Sequence, residues 1–201
     1  MTSDLVEFDG STTPDDKPLQ LFTLRNKNVF ELTFMDWGAT WLSCLVPLSC
    51  GNRRETVLRC ATFEDHLSHR AYLGATIGRY ANRIKDGRFE SDAKQITLSR
   101  NHLTNTLHGG NRGFDQHTWH AEQDDDTAVI FSRQSPNGEQ GFPGVLDVKA
   151  SYRITEDNKL VATYEAITDQ RTPINLTNHA YFNLSTDETI LDHHLMIDAE
   201  Y

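Results

Sequence analysis

Residues 146–166 read LDVKASYRITEDNKLVATYEA, and this stretch decides the fold class. Apolar and polar residues alternate on both sides of a polar turn at residues 156–158. The apolar positions are Leu146, Val148, Ala150, Tyr152 and Ile154 before the turn, and Leu160, Ala162, Tyr164 and Ala166 after it. Because successive side chains of a strand point to opposite faces, the pattern predicts a half-buried antiparallel hairpin.

Shorter extended runs flank this hairpin along most of the chain. They predict a hairpin over residues 19–48, a strand over residues 55–60, a strand, turn and strand over residues 88–98, and a hairpin whose charged tip is residues 124–126. Many short strands separated by turn residues favour an all-β fold, a large antiparallel β-sandwich, over an α/β fold. No repeat or linker divides the sequence, so residues 1–201 are expected to form a single domain.

One short helix and two long loops interrupt the strands. The helix is predicted to begin after Thr62, whose side chain can cap the backbone, with Asp65 three residues later. The loops at residues 101–114 and 135–144 are rich in glycine and polar residues. Long loops of this kind are candidates for functional sites.

Charge and cysteine content restrict the possible partners. The 201 residues carry 19 Lys and Arg against 29 Asp and Glu, a net charge of −10 that disfavours binding to nucleic acid or to anionic membranes. The three cysteines, Cys44, Cys50 and Cys60, fit neither a zinc site nor a disulfide framework. With no apolar leader at the amino terminus, a cytoplasmic location is expected.

Residues 177–184 read TNHAYFNL and hold the strongest chemical signal. Histidine exchanges protons near neutral pH without much tuning, so His179 is a candidate general acid or base. On a strand, His179, Tyr181 and Asn183 would share one polar face suited to a sugar. The alternative is a structural histidine in an ordinary strand, and this motif alone does not decide between them.

Three further stretches, taken with TNHAYFNL, resemble the aldose 1-epimerases, the galactose mutarotase family. They are YLGATIGRYANRI at residues 72–84, NTLHGG leading to GFD between residues 105 and 115, and GFPG at residues 141–144. The resemblance runs from about Trp37 to Tyr201 with the motifs in the family's order. It implies an antiparallel β-sandwich with the sugar site on a concave sheet face.

The resemblance also implies roles for individual residues. His179 matches the family's general acid, Asn82 and Arg83 match the pair that binds sugar hydroxyls, and His108 matches a second sugar contact. Tyr181 lies beside the sugar. Considered without the family, Asn82 and Arg83 could form a surface turn, and His108 could cap backbone groups.

The implied reaction interconverts the α and β anomers of a free aldohexose such as galactose or glucose. A base removes the proton of the C1 hydroxyl while an acid protonates the ring oxygen, so the ring opens, C1 rotates and the ring closes. No metal or organic cofactor is required. The adjacent His193 and His194 lack metal-ligand spacing on one face, so no zinc site is expected.

One part of the family pattern has no counterpart in this sequence. The resemblance implies a general-base glutamate and a sugar-binding aspartate well beyond the histidine motif, and neither is matched here. The chain is therefore expected to correspond to the amino-terminal portion of a longer family member and to have little epimerase activity alone. If it were active, Glu139 would be the first carboxylate to test as the base. The alternatives are a sugar-binding or regulatory module and a remnant that does not fold alone.

Overall fold

The structure, a computed structural model, describes residues 8–199. In this part of the chain there is one α-helix, α1 (Phe63–Ser68), and fourteen strands. The strands are β1 (Leu21–Arg25), β2 (Glu31–Met35), β3 (Thr40–Pro47), β4 (Arg53–Glu55), β5 (Thr76–Ile77), β6 (Arg83–Ile84), β7 (Arg88–Ser91), β8 (Lys94–Thr97), β9 (Thr106–Leu107), β10 (His120–Asp125), β11 (Ala128–Ser135), β12 (Leu146–Ile154), β13 (Leu160–Thr168) and β14 (Thr177–Asn178). Within these residues no helix has the length and apolarity needed to cross a membrane.

Two four-stranded antiparallel sheets form the body of the fold. The first has the order β1-β2-β3-β4 and the second the order β10-β11-β12-β13. The predicted hairpin of residues 146–166 is β12 and β13, paired from Leu146 opposite Thr168 to Ile154 opposite Leu160. Three two-stranded sheets join β5 to β14, β6 to β9, and β7 to β8. The all-β prediction is confirmed.

A single large apolar cluster lies between the two four-stranded sheets. Phe34 of β2 stacks on Tyr152 of β12 with ring centroids 4.5 Å apart, and it also contacts Phe131 of β11. All three side chains are buried. Because side chains from both inner faces interdigitate, the two sheets form a sandwich.

Strand β13 is less buried than the alternation in its sequence predicts. Tyr164 and Ala166 are half-buried, but Ala162 is exposed, and Ile167 on the opposite face is 76% exposed. Among the described residues β13 pairs only with β12, so it is an edge strand of its sheet.

The strand predicted over residues 55–60 is largely wrong. Strand β4 ends at Glu55, and beyond it Val57 makes an isolated bridge to Phe182. The Glu55 carboxylate accepts hydrogen bonds from the backbone N–H groups of Thr56 and Val57, at 3.0 and 3.1 Å. These local bonds replace a sheet ladder and end the strand.

Helix α1 begins as predicted. Thr62 precedes the helix, and its hydroxyl accepts a hydrogen bond from the backbone N–H of Asp65, at 3.0 Å. Phe63 is buried against Phe8, which anchors the helix to a second, smaller apolar cluster. The cap therefore fixes the start of the segment that leads into residues 72–84.

Candidate active site

Strands β5 and β14 bring the first and last of the four motifs together. Thr177 pairs with Ile77, and Asn178 pairs with Thr76. The pairing continues beyond the strands, because the backbone N–H of His179 donates to the carbonyl of Ala75 at 2.9 Å, and that of Gly74 donates to the carbonyl of His179 at 3.1 Å. Both the backbone N–H and the backbone carbonyl of His179 are thus hydrogen-bonded to residues 74–75.

Residues 177–184 form a strand only at their start, over Thr177–Asn178. The Asn178 side chain accepts a hydrogen bond from the backbone N–H of Ala180 at 2.9 Å and donates to the carbonyl of Gly74 at 2.7 Å. Such a local turn bends the chain and ends β14 at Asn178. The amide of Asn183 is also used locally, since it donates to the carbonyl of Asp187 at 2.8 Å.

Glycines allow two of the motifs, residues 72–84 and residues 105–115, to meet at Gly78. A β-carbon at Gly109 would lie 1.9 Å from the carbonyl oxygen of Gly78, and one at Gly78 would lie 2.2 Å from the Phe114 ring. The backbone N–H of Phe114 donates to that same carbonyl at 3.2 Å. Only residues without a side chain permit this close approach.

Arg79 ties the GFPG motif at residues 141–144 to this junction. Arg79 is 2% exposed, and its guanidinium donates five hydrogen bonds to acceptors in the loop of residues 135–144. The acceptors are the Ser135 hydroxyl at 2.8 Å and the carbonyls of Ser135, Pro136, Pro143 and Gly144 at 2.9 to 3.0 Å. The loop predicted as a functional candidate is therefore a support for residues 72–84 rather than a free segment.

Four rings, from Tyr72, His108, His179 and Tyr181, pack against one another and are called the ring cluster below. The His108 and His179 rings meet edge to face with centroids 5.2 Å apart, and the Tyr181 ring stacks on His179 at 5.2 Å. Tyr72 contacts both imidazoles, at 4.7 Å from His108 and 5.8 Å from His179. Tyr181 is 40% exposed, so one side of the cluster faces solvent.

Asn82 and Arg83 join the ring cluster through His108. The backbone N–H of Asn82 donates to Nδ1 of His108 at 3.1 Å, and the backbone N–H of His108 donates to the carbonyl of Asn82 at 3.1 Å. The Arg83 guanidinium donates to the Asn82 side-chain oxygen at 3.2 Å, and both side chains are exposed. The five residues predicted from sequence are therefore linked by a continuous chain of contacts.

The environment of His108 keeps its ring neutral. Burial, followed by the nearby His179 and Arg83, lowers the pKa of His108 to about 4. Since Nδ1 accepts the Asn82 hydrogen bond, the proton of the neutral ring is on Nε2. His108 thus presents one N–H donor for a ligand oxygen near neutral pH.

A cavity of about 570 Å³ adjoins the ring cluster through Tyr72. Asp115 also lines this cavity, and its Oδ1 atom is buried without a hydrogen-bond partner among residues 8–199. Burial raises the pKa of Asp115 to about 6. A carboxyl in this position carries only part of its charge below neutral pH.

Glu139, the carboxylate that sequence suggests as a substitute base, is already engaged. Both of its oxygens accept hydrogen bonds from Arg133, at 2.8 and 3.1 Å, and Ser135 donates to it as well. Burial favours the neutral acid, but the bonds and charge of Arg133 outweigh it and lower the pKa of Glu139. A carboxylate stabilised in this way is a poor proton acceptor.

Tyr72 is the site residue that sequence reasoning missed. It lies in the motif of residues 72–84, but the motif assigns no role to it, and its contacts with His108 and His179 connect segments far apart in sequence.

Within residues 8–199 no group of three or more His, Cys, Asp or Glu side chains has the arrangement of a metal site.

The sequence is similar to one family of known proteins. The family model described as aldose 1-epimerase matches residues 20–201. The chain is 46% identical to the aldose 1-epimerase of Escherichia coli strain K12, covering 93% of this chain and 54% of that protein. It is 44% identical to the aldose 1-epimerase of Haemophilus influenzae, covering 98% and 58%.

Solved structures show the same relationship. The aldose epimerase homologue from C. elegans superposes with a TM-score of 0.81 at 30% identity, covering 86% of this chain and 53% of that chain. The galactose 1-epimerase from Lactobacillus acidophilus gives a TM-score of 0.77 at 31% identity, covering 87% and 52%. The chain spans about half the length of the curated relatives it matches.

Proposed function

The chain belongs to the aldose 1-epimerase family, and on this basis we propose that it serves the interconversion of the α and β anomers of a free aldohexose. The observation that carries the proposal is the contact of the His108 and His179 rings, 5.2 Å apart, beside the Asn82 and Arg83 pair. This arrangement puts a proton-transfer group next to donors that can hold sugar hydroxyls.

His179 is the general acid of this proposal. As the base takes the proton of the anomeric hydroxyl, the bond between C1 and the ring oxygen breaks, and His179 delivers a proton to that oxygen. The open-chain aldehyde forms, C1 rotates, and the reverse steps close the ring in the other configuration. The backbone bonds of His179 to Gly74 and Ala75 support this role because they fix the position of the imidazole.

Three donors are proposed to hold the sugar. The Arg83 guanidinium and the Asn82 amide are exposed and joined by a hydrogen bond, so they can contact neighbouring hydroxyls together. His108 offers its Nε2 proton to another sugar oxygen. The exposed ring of Tyr181, stacked on His179, provides an apolar surface beside them.

The base is proposed to be the glutamate that the family resemblance places beyond the matched motifs. Engagement of Glu139 with Arg133 and Ser135 supports this assignment, since it removes the substitute that sequence suggests. The raised pKa of Asp115, about 6, would make it the stronger proton acceptor of the two, but its Oδ1 atom is buried and the carboxyl is not among the side chains that contact His179 in the ring cluster.

A sugar-binding module without catalysis is the second candidate. The same engagement of Glu139 favours it, because the donors of Asn82, Arg83 and His108 need no base in order to bind a sugar. Polarimetry of freshly dissolved α-galactose and α-glucose tests the first candidate, and calorimetric titration with galactose tests the second. Both measurements use a full-length chain that includes the proposed base glutamate, because residues 1–201 alone are expected to have little activity. In that chain, binding without faster mutarotation would favour the module, and faster mutarotation that is lost in His179→Ala would favour the epimerase.

A cytoplasmic location is part of the same proposal. Cys44, Cys50 and Cys60 are all free thiols, and Cys50 is exposed. Unpaired exposed thiols persist most readily in a reducing compartment, which supports this location.

A further inference from the structure

We propose that Tyr72 is a positioning residue for the reaction, whose ring fixes the mutual orientation of the His108 and His179 imidazoles. This role rests on the proposed function for its catalytic part. The four-motif resemblance gives Tyr72 no such role, and the ring contacts of the folded chain are what point to it.

The three rings form a closed triangle. Tyr72 meets His108 at 4.7 Å with planes 65° apart and meets His179 at 5.8 Å with planes 33° apart, while the two imidazoles lie 5.2 Å apart. Each ring therefore limits the rotation of the other two. A proton-transfer group held in this way keeps the geometry that its step needs.

The backbone of Tyr72 has an unfavourable conformation that places the ring there. Its φ is +57°, in the left-handed region that a bulky side chain avoids at a cost on the order of 1 kcal/mol. A turn closed by the backbone N–H of Ala75 donating to the carbonyl of Tyr72, at 3.1 Å, holds this conformation. Strained residues of this kind concentrate at functional sites.

The Tyr72 ring also shields His108 from water. The pKa of His108 is lowered mainly by burial, and the charged groups that face it are His179 and Arg83. If His108 gained a proton, Nδ1 could no longer accept the hydrogen bond of the Asn82 N–H. Shielding by Tyr72 thus maintains the link between His108 and the Asn82 and Arg83 pair.

The Tyr72 side chain also contributes by remaining uncharged next to the imidazoles. Tyr72 lines the cavity that also contains Asp115 and Arg70. Burial, and then the charge of Asp115, raises the pKa of Tyr72 above its usual value, against the opposing charge of Arg70. The phenol consequently stays protonated, so the ring next to the imidazoles carries no charge.

Three substitutions of Tyr72 distinguish the effect of the aromatic ring from the effects of the hydroxyl and of the backbone strain. Tyr72→Phe keeps the ring, whereas Tyr72→Asn removes it and places a residue that tolerates positive φ. Tyr72→Asn is therefore expected to fold, and Tyr72→Gly, which also accepts this backbone, provides a second ring-free variant. Circular dichroism and thermal melting verify the fold of each.

The first measurement is the titration of the His108 ring, followed by NMR and assigned with the His108→Gln variant. In the wild type and in Tyr72→Phe, His108 should titrate near pH 4. In Tyr72→Asn its proton affinity should rise about tenfold or more, because water reaches the ring. An unchanged titration in both ring-free variants would overturn the role of Tyr72.

The second measurement is kcat and KM for mutarotation across pH, made with a full-length chain that includes the proposed base glutamate. Tyr72→Asn should lower kcat by about tenfold or more and move the acid limb of the profile to higher pH, while Tyr72→Phe should stay within about threefold of the wild type. A loss in KM alone, with the same acid limb, would also contradict positioning. If the wild type shows no mutarotation although the His108 titration responds as expected, the proposed function fails and the ring contact stands.

Discussion

Nδ1 of His108 accepts a hydrogen bond from the backbone N–H of Asn82, and the backbone N–H of His108 donates to the carbonyl of Asn82, both at 3.1 Å. This reciprocal pair joins two motifs that are 26 positions apart in sequence. It also fixes which nitrogen of His108 carries the proton. The pair therefore couples the orientation of the His108 ring to the backbone that holds Arg83.

Removal of the His179 imidazole should abolish most of the proposed activity. In a full-length chain that includes the proposed base glutamate, His179→Ala is expected to lower the rate of mutarotation by about 10²-fold or more, the usual loss when a positioned acid is removed. Polarimetry with α-galactose measures this rate. His194→Ala is the control, since His194 is an exposed histidine close by in sequence and should leave the rate unchanged. A loss below about tenfold would refute the assignment of His179.

Much of the site could be predicted because its residues lie in short, specific motifs. Asn82, Arg83, His108, His179 and Tyr181 are named from sequence, and the fold connects them through contacts that sequence does not show. Their chemical roles remain predictions. Tyr72 could not be found in this way, because its importance comes from packing against two distant rings.

The wrong strand prediction over residues 55–60 and the early end of β14 have a common physical cause. Glu55 and Asn178 each use a side-chain oxygen to bind a nearby backbone N–H group, and each ends its strand at that residue. Alternation of apolar residues indicates which face of a strand is buried. It does not indicate whether a side chain takes the backbone N–H groups that would otherwise bond to the neighbouring strand. The β12 and β13 hairpin keeps its pairing from Leu146 opposite Thr168 to Ile154 opposite Leu160, and its prediction as an antiparallel hairpin was correct.

Glycine substitution tests the close approach of the motifs at Gly78. Gly109 and Gly138 both have positive φ, +89° and +86°, so alanine strains the backbone equally at both positions. At Gly138 the added β-carbon meets nothing within 4 Å, whereas at Gly109 it would lie 1.9 Å from the carbonyl oxygen of Gly78. Gly138→Ala should cost about 1 kcal/mol of unfolding free energy.

Gly109→Ala should cost several times as much, on the order of 3 kcal/mol or more, because backbone must move to relieve the overlap. Urea unfolding of the two variants measures the difference. Equal losses in both variants would mean that the approach of Gly109 to Gly78 can relax freely.

Replacement of the Arg79 guanidinium should destabilise the fold even when the charge is kept. In Arg79→Lys the ammonium has three donors and cannot reproduce a planar fork that makes five bonds. Each buried carbonyl left without a donor costs roughly 1–3 kcal/mol, so a total of about 3 kcal/mol or more is expected. The control Arg88→Lys changes an exposed arginine on β7 and should shift the urea midpoint little. Comparable shifts in both variants would contradict the anchoring role of Arg79.

Asp115 and His66 should respond to pH with opposite signs. Burial raises the pKa of Asp115 from 3.8 to about 6, so the folded state holds this proton more tightly, and its contribution to stability falls as pH rises from about 4 to 6. Burial, then the charge of His69, lowers the pKa of His66 from 6.5 to about 4. The unfolded state then binds the proton more tightly, and stability is lost as pH falls from about 6.5 to 4.

Asp115→Asn should therefore be more stable than the wild type at pH 7, by up to about 3 kcal/mol. This size follows because each tenfold difference in proton affinity between the folded and unfolded states corresponds to about 1.4 kcal/mol. The gain should disappear near pH 4. His66→Leu should show the reverse dependence, with its advantage over the wild type appearing only on acidification. Urea unfolding at pH 4.5 and pH 7 measures both differences. The burial that lowers the pKa of His108 and His117 to about 4 acts in the same direction as that of His66, so the wild type itself should lose stability toward pH 4. A stability difference for Asp115→Asn that does not change with pH would show that this carboxyl is not buried as the fold places it.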